Sequence, residues 1–379
     1  MTSTSADFII IGGGIAGASA GYELSKVGRV ILLEKENRPG YHTTGRSAAI
    51  FTKSYRDGDP LINALVVASE AFFKTPPAGF TDHPLISPRA MIHIASKDKT
   101  AALDDLHEKL KRINVASRFL SRDEARALLP ILAENYQEKV LFEEEIYDMD
   151  VSALHEGFLQ GIKAAGQDII STAEVTGLHS SGGLWTVTTS QGIYRAPVVI
   201  NAAGAWVDEV AALADIAPID IRPLRRTMIM VSAPDDMDPR DWPFVMEATQ
   251  GFYFRPDSGK LIATPADEHL SPPCDAQPEE IDIAYAAHYL QETTTLEVRK
   301  IDTSWAGLRN HVADGYPVVG FDPAAPGFFW LAGQGGFGIK TAPALGRITA
   351  ALVQGKGLPE DVSRLGLTEA QISVRRLKR

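Results

Sequence analysis

Gly12, Gly14 and Gly17 stand in the segment Gly12-Gly-Gly-Ile-Ala-Gly17 with the G-x-G-x-x-G spacing of a backbone that turns tightly against a pyrophosphate. Phe8 to Ile11, just before them, is a short apolar run of the kind that forms a buried parallel strand. Roughly Ala16 to Lys26 reads as the following helix, whose N-terminal N–H groups and positive dipole end face the same phosphate. Val30 to Leu33 predicts the next strand, and Glu34 at its tip, 17 residues beyond Gly17, can accept hydrogen bonds from a ribose diol. The glycine spacing alone also occurs in ordinary turns. Strand, helix and acid together predict an adenine dinucleotide site, and an acid at position 34 argues against a 2′-phosphate and hence against NADP.

Two more glycine-bearing strand-to-helix junctions follow, Asn201-Ala-Ala-Gly204 before Trp206 and Gly333-Gln-Gly-Gly-Phe-Gly338 before Thr341. An NAD-dependent hydroxy-acid dehydrogenase needs only the first junction and a continuous nucleotide domain. A flavoprotein needs more, because FAD lies extended across its fold. The O2/N1 edge of the flavin gains negative charge on reduction and favours a helix N-terminus, which the junction Gly335 to Gly338 can supply. Glycines that merely let a strand and a helix approach are the plainer reading of this last junction.

The elements that must position these residues can be followed along the chain. After the opening strand–helix–strand comes a Gly/Thr/Ser-rich loop, Asn37 to Ala49, expected to lead into a small-residue helix start. Leu61 to Lys74 has helical periodicity, Met91 to Ile94 is a strand candidate, Lys99 to Ile113 an exposed amphipathic helix, and Ser121 with Glu124 a capping box. Asp150 and Ser152 can cap a helix through Ala165; short strands follow near 169–179, 184–189 and 192–195. The apolar run Pro197 to Gly204 returns the chain to the first sheet, and Trp206 to Ala214 is a helix from its end. Strands at Arg226–Ser232, Gly251–Arg255 and Lys260–Thr264 and a helix over Ile281–Gln291 form a second excursion; Phe328 to Ala332 and a helix over Thr341–Gln354 close the fold. The expected class is α/β, mixed: a discontinuous Rossmann-like dinucleotide domain (1–85, 147–218 and 304–379) with an inserted antiparallel-sheet domain for substrate (86–146 and 219–303).

With 379 residues the chain can bury two joined cores, and its net charge of −11 argues against nucleic acid or an anionic membrane surface as partner. The basic clusters Arg222, Arg225, Arg226 and Arg375, Arg376, Lys378, Arg379 read as a site and a solvated tail. The single cysteine, Cys274, excludes an intramolecular disulfide and a cysteine-based metal site; no metal is expected, and the thiol reads as a surface group without a role. The amino terminus lacks the basic region of a secretory signal, and no apolar run approaches a transmembrane span. The expected location is the cytoplasm.

The opening glycine turn with Glu34, the loop Thr43-Thr-Gly-Arg-Ser-Ala-Ala49, Asn201 to Trp206, Thr303-Ser-Trp-Ala-Gly-Leu-Arg309 and Gly327 to Ile339 together resemble the glycine/D-amino-acid oxidase superfamily of FAD enzymes. Within it they resemble most closely the bacterial FAD-dependent D-arginine dehydrogenases. The resemblance spans essentially the whole chain. It implies a non-covalent FAD, a dehydrogenase with an electron acceptor other than oxygen (a quinone or an electron carrier), and oxidation of a D-amino acid to an imino acid that hydrolyses to the 2-oxo acid. The carboxy-terminal turn carries Gln334 and no cysteine, so it lacks the thiol by which sarcosine-oxidase relatives attach flavin. The implied cofactor set is Gly12, Gly14, Ile15, Ala16, Gly17, Glu34 and Lys35 in the first turn, and Thr43, Thr44, Gly45, Arg46, Ser47, Ala48 and Ala49 in the loop. Val175, Ala203, Gly204, Trp206 and Gly307 belong to it, as do Gly333, Gly335, Gly336, Phe337, Gly338, Ile339 and Lys340.

By the same resemblance Arg309 grips the substrate carboxylate, Arg226 and Tyr253 contact substrate, Tyr55 sits on a mobile covering loop, and the Gly336 carbonyl accepts from the substrate amine. Arg309 suits its role physically, since a planar guanidinium binds a carboxylate bidentately. Arg225 and Arg226 must point to opposite faces if their segment is a strand. No general base stands out; the polar positions orient the substrate rather than abstract a proton.

This sequence departs from the arginine enzymes at the side-chain pocket. Their acid for the guanidinium of D-arginine falls at Met91, and a histidine of the flavin loop falls at Ile50; Phe244 and Met246 take two further pocket positions. A buried guanidinium without a carboxylate costs several kcal/mol. The four residues therefore suggest a neutral or apolar side chain, unless the alignment slips and an acid such as Glu247 serves D-arginine itself. Two other functions stay open: oxidation of a 2-hydroxy acid, N-methyl amino acid or other secondary amine, and a catalytically idle flavin-binding subunit. The intact set Tyr55, Arg226, Tyr253 and Arg309 speaks against the last.

Overall fold

The structure, a computed structural model, describes residues 4–234 and 236–377; Lys378 and Arg379 of the terminal basic run lie outside them. Its first sheet has six strands in the order Val318–Phe321, Phe328–Ala332, Val198–Asn201, Phe8–Ile11, Val30–Leu33 and Asp168–Ile170. Only Val318–Phe321 runs antiparallel to its neighbour. Phe8–Ile11, Val30–Leu33 and Phe328–Ala332 are apolar at every position, and Val198–Asn201 at all but Asn201, because both faces are covered. Ile10, Leu32, Ile200 and Phe329 pack on the helices Ile15–Leu24, Val151–Ala164 and Gly338–Val353, whereas Ile9, Ile31, Val199 and Phe328 join Trp185, Val187 and Val210 on the other side. Alternation of side chains along each strand produces this division. The short strands 175–181, 184–189 and 192–196 form a separate sheet, joined by Thr4–Ser5.

A ten-stranded sheet makes the second layer, with Phe244–Glu247 lying between Tyr253–Asp257 and Ile86–Ile94. Its outer face carries Ile92, Val140, Ile229, Val245 and Phe254 against Ala286 and Leu290 of the helix Glu280–Thr293. Its inner face carries Met91, Met228, Phe244 and Tyr253.

Three sequence expectations change here. No helix starts after Ala49: Thr44–Arg46 is a short 3-10 turn, Ser47 is extended, and Ile50–Phe51 pairs with Tyr147 and Asp148 in the second sheet. The strand at Met91 begins at Ile86 because it pairs along Val140–Met149, a strand whose Glu143-Glu-Glu145 core hid it from hydropathy. Thr303–His311, which carries Gly307 and Arg309 and from residue 304 onward lies in the range expected for the nucleotide domain, pairs over nine positions with Arg222–Ser232 of the second sheet. The capping box at Ser121 and Glu124 and the Asp150 cap are present. Cys274 is a free thiol, half-buried on the same small apolar cluster as Trp206 rather than fully at the surface. No helix among the described residues is long and apolar enough to cross a membrane.

Candidate active site

The carboxyl ends of Phe8–Ile11, Val198–Asn201 and Phe328–Ala332 lie on one edge of the parallel sheet, so the three glycine junctions converge. At the first, Gly12 has φ +107°, where an L side chain is strained, and a β-carbon on Gly17 would collide with the Gly12 carbonyl. Gly17 therefore closes the turn from behind and does not line the cavity; the same holds for Gly45, packed on the Gly40 carbonyl, for Gly333, at φ +73°, and for the fully buried Phe337. Glu34 accepts hydrogen bonds from Gly13 N (2.8 Å) and Glu36 N (2.9 Å), which fixes its carboxylate at the cavity wall. Lys35 Nζ lies 3.5 Å from the centre of the Trp206 ring, where its charge faces the indole π-system.

The loop Thr43–Ala49 is clamped between the two sheets. Thr44 Oγ1 accepts from Ile15 N (2.9 Å) at the start of the first helix, and Thr43 Oγ1 donates to Leu308 O (2.8 Å). Arg46 donates to Ala276 O and Ala306 O, pairs with Asp275, and its own carbonyl accepts from Trp305 Nε1. A single cavity of about 920 Å³ runs from Gly12, Gly14 and Glu34 past this loop to Gly335, Gly336, Gly338 and Lys340. Ile15, Ala16, Val175, Ala203, Gly204, Trp206, Gly307 and Ile339 also line it. Glycine cradles that a β-carbon would fill, a helix N-terminus without a side-chain cap of its own, and buried Asn310 Oδ1 and Gln334 Nε2 without partners among the described residues all suit an extended dinucleotide.

At the far end the expected substrate residues come together. Tyr55, Arg226, Tyr253, Arg309 and Gly336 line the cavity, and so do Ile50, Met91, Phe244 and Met246. A β-carbon on Gly336 would run into Tyr55 Oη and stand 3.1 Å from the Arg309 guanidinium, so only glycine leaves room for a ligand between them. Arg309 Nη2 donates to Tyr253 Oη (3.3 Å). Burial opposes its charge, but the Tyr253 and Tyr55 phenols and the Glu268 and Asp267 carboxylates outweigh that and hold it above its ordinary value. Arg226 is pulled the other way, by burial and by Arg309, and donates to Asp267 O and Glu268 Oε1 (2.9 Å each). Arg225 points to the opposite face, to Glu279 and Asp282.

Tyr55 opens a turn in which Arg56 (φ +51°) and Asp57 (φ +56°) are left-handed. Asp57 pairs with Lys109 and accepts from Gln250, while Arg56 donates to Gly315 O, so the turn is held from both sides of the mouth. The apolar wall follows from register: Phe244 pairs with Met91, Met246 with His93 on one side and with Tyr253 on the other, and the Phe244 and Tyr253 rings stack with centroids 5.2 Å apart. Glu247 is spent on Thr249 N, Thr249 Oγ1 and Gly251 N, and does not line the cavity.

Several lining residues escaped the sequence. His93 lies two positions from Met91 on one strand face, a periodicity that could have found it. Its Nε2 meets Glu143 Oε2 (3.1 Å), which also accepts from Thr52 through its other oxygen. Glu268 follows Ala266, which has φ +54°, and no local signal marks it. His311 stands against Gly335, and burial drops its imidazole to about 4, leaving it neutral at physiological pH.

Similar proteins carry the same architecture. A glycine oxidase of Geobacillus kaustophilus (strain HTA426) is 25% identical over 374 residues, 96% of each chain. The crystal structure of glycine oxidase from Geobacillus kaustophilus superposes with a TM-score of 0.83 at 23% identity, covering 97% of this chain and 99% of that one. L-proline dehydrogenase from P. horikoshii gives 0.83 at 20% identity (99% and 98%). The dithionite-reduced L-alpha-glycerophosphate oxidase from Mycoplasma pneumoniae, solved with FAD bound, gives 0.82 at 19% identity (92% and 95%). Residues 7–352 match the DAO family model, described as FAD dependent oxidoreductase; with its glycine junctions converging on one extended cavity, the chain belongs to the DAO family of FAD-dependent oxidoreductases.

Proposed function

We propose that this protein oxidises a D-amino acid with a neutral or apolar side chain to the imino acid, which hydrolyses to the 2-oxo acid and ammonia. One observation carries the reading: the Arg309 guanidinium faces the cavity with a phenol as its hydrogen-bond partner and no carboxylate paired to it among the described residues, beside a wall of Met91, Phe244 and Met246. A cation so placed calls for an anion from outside the protein, and the wall beside it favours a hydrocarbon side chain at about 0.8 kcal/mol per buried methylene.

FAD, held by the Gly12–Gly17 turn, Glu34, the Thr43–Ala49 loop and the Gly335–Ile339 junction, supplies the hydride acceptor when bound. The chain's own residues do the rest. Arg309 takes the carboxylate bidentately, and Tyr253 holds the guanidinium plane. The Gly336 carbonyl receives the amine, Tyr55 closes over both, and Arg226, already engaged by Glu268, adds positive potential at the carboxylate. Met91, Ile50, Phe244 and Met246 take the side chain and exclude water from it. The resemblance that favours the D-enantiomer also favours a quinone or electron carrier over oxygen as acceptor.

Anaerobic mixing of the purified protein with glycine, with the D- and L-enantiomers of the other common amino acids, and with 2-hydroxy acids and N-methyl amino acids tests this. Bleaching of the flavin absorbance by D-leucine, D-methionine or D-phenylalanine and not by their enantiomers is the expected result. Bleaching by 2-hydroxy acids or N-methyl amino acids alone would replace it with the neighbouring function, and slow oxygen consumption after reduction would support the dehydrogenase assignment.

A further inference from the structure

Lys340 is a buried amine of the cavity wall that the steps above leave idle. It stands in the first turn of the helix Gly338–Val353, four residues after Gly336, and is 3% exposed, yet it lines the cavity. Its Nζ lies 4.5 Å from the centre of the Tyr55 ring and has neither a hydrogen-bond acceptor nor a carboxylate partner among the described residues. The charged and titratable groups that act on it are Arg309 from the strand Thr303–His311, Glu143 from Val140–Met149 and Tyr55 from the mouth. Farther along its helix Ser69 accepts from Ala344 N, Ser19 packs on Gly346, and the one ion pair among the described residues is Arg347 with Asp361, two turns from Lys340.

Two cationic side chains, Arg309 and Lys340, thus share one wall of the cavity. A guanidinium stays charged there, whereas an amine can relieve the repulsion by losing its proton. Burial, reinforced by Arg309 and only partly opposed by Glu143, brings the Lys340 ammonium down to about 7. Near neutrality the amine form of Lys340 is therefore available in the first turn of the helix that follows Gly336, the glycine proposed to receive the substrate amine.

An amino acid arrives with its nitrogen protonated, and a carbon bearing an ammonium group cannot release hydride, because no lone pair is present to stabilise the developing cation. We propose that Lys340 takes the proton from the substrate ammonium and so delivers the amine neutral for oxidation. In this step one N–H bond of the substrate breaks and leaves its electron pair on the substrate nitrogen. The Nζ lone pair of Lys340 forms the new N–H bond, and no charge enters or leaves the site. The carboxylate held by Arg309 offsets the charge that Lys340 gains. This assignment rests on the amino-acid reading above.

The test follows anaerobic flavin reduction of the holoenzyme by its best D-amino acid from about pH 6 to about pH 10, in the parent, Lys340→Met and Lys340→Arg. The second-order rate constant reports ionisations of free enzyme and free substrate. In the parent it rises as pH passes through about 7, where Lys340 loses its proton, and then levels. Both variants should lose this rise, climb only where the amino acid's own ammonium ionises, and fall about 100-fold below the parent near neutrality. Flavin absorbance per protein shows that the site remains loaded. A parent-like profile in Lys340→Arg would make the residue a second anchor for the carboxylate and overturn the proposal, as would an unshifted profile in Lys340→Met.

A second measurement does not depend on turnover. Binding of 4-methylpentanoate, a carboxylate without an amine, should draw up to one proton onto Lys340 above pH 7, read by calorimetry in two buffers of different ionisation heat. Lys340→Met should take up none; equal uptake by both proteins overturns the proposal. Absence of flavin bleaching by every amino acid in the parent would overturn the substrate reading and this step together, whereas bleaching with unchanged profiles overturns this step alone.

Discussion

Arg309 Nη2 donates to Tyr253 Oη across 3.3 Å, and that phenol is the polar partner the guanidinium has among the described residues. The two residues come from different strands of the second sheet, Thr303–His311 and Tyr253–Asp257, and reach each other across Arg222–Ser232 and Lys260–Thr264, which lie between those strands in the pairing order. Tyr253 is in turn pinned by stacking on Phe244. A bidentate clamp needs a fixed plane, and this stack supplies one.

Replacing Arg309 by Met should cut flavin reduction at subsaturating substrate by at least roughly 3 kcal/mol, more than 100-fold, because the ligand's carboxylate is left in the site without a partner. FAD content should stay near that of the parent. Reduction as fast as the parent's at equal substrate concentration would remove Arg309 as the carboxylate anchor.

Substrate preference should follow the wall formed by Met91, Phe244 and Met246. D-Leucine, D-methionine or D-phenylalanine should surpass D-arginine and D-lysine, and Met91→Glu should shift the ratio toward D-arginine at least tenfold, about 1.4 kcal/mol. The new carboxylate would face Glu143, directly across in register, so the same variant should also be less stable than its parent. An unchanged order of preference in Met91→Glu would mean that the side chain is held elsewhere.

Acid precipitation should leave FAD in the supernatant. The one cysteine, Cys274, is half-buried on the same small apolar cluster as Trp206, and the turn before Thr341 carries Gln334 instead of a thiol. A yellow pellet, read by its absorbance after washing, would reveal a covalent bond at another side chain.

Acid should destabilise the apoprotein partly through His311. Burial lowers its imidazole from 6.5 to about 4 in the folded chain. The unfolded chain therefore binds the extra proton between those values, and stability present above about 6.5 is lost as pH falls toward 4. About 2 kcal/mol should disappear between pH 7 and pH 5, with buried His155, lowered by its own desolvation, adding in the same sense. Urea titrations of the parent and His311→Gln at the two pH values measure the share due to His311; equal losses in both proteins would assign the effect to other groups.

The dinucleotide turn was legible in the sequence because its physics is local. Gly12, Gly14, Gly17 and Glu34 lie within one strand–helix–strand unit, where steric freedom at a turn and a carboxylate at a strand tip leave a direct mark on residue type. Arg309 and Arg226 were legible as residues of a motif; strand alternation required Arg225 and Arg226 to face opposite ways, and the resemblance selected Arg226. Their meeting with Tyr55, Tyr253 and Gly336 could not be read locally, since it depends on pairing Thr303–His311 with Arg222–Ser232 and on a loop clamped by Thr43, Thr44 and Arg46. Val140–Met149 stayed hidden because its Glu143-Glu-Glu145 run looks solvated, and only His93 and Thr52, brought from two other strands or loops, make burial of Glu143 affordable. Lys340 is the sharpest case. In the chain it is a lysine at the start of a helix; the cavity, the missing acid and the neighbouring guanidinium that change its chemistry are properties of the tertiary structure, because desolvation and charge repulsion depend on distance in space rather than in sequence.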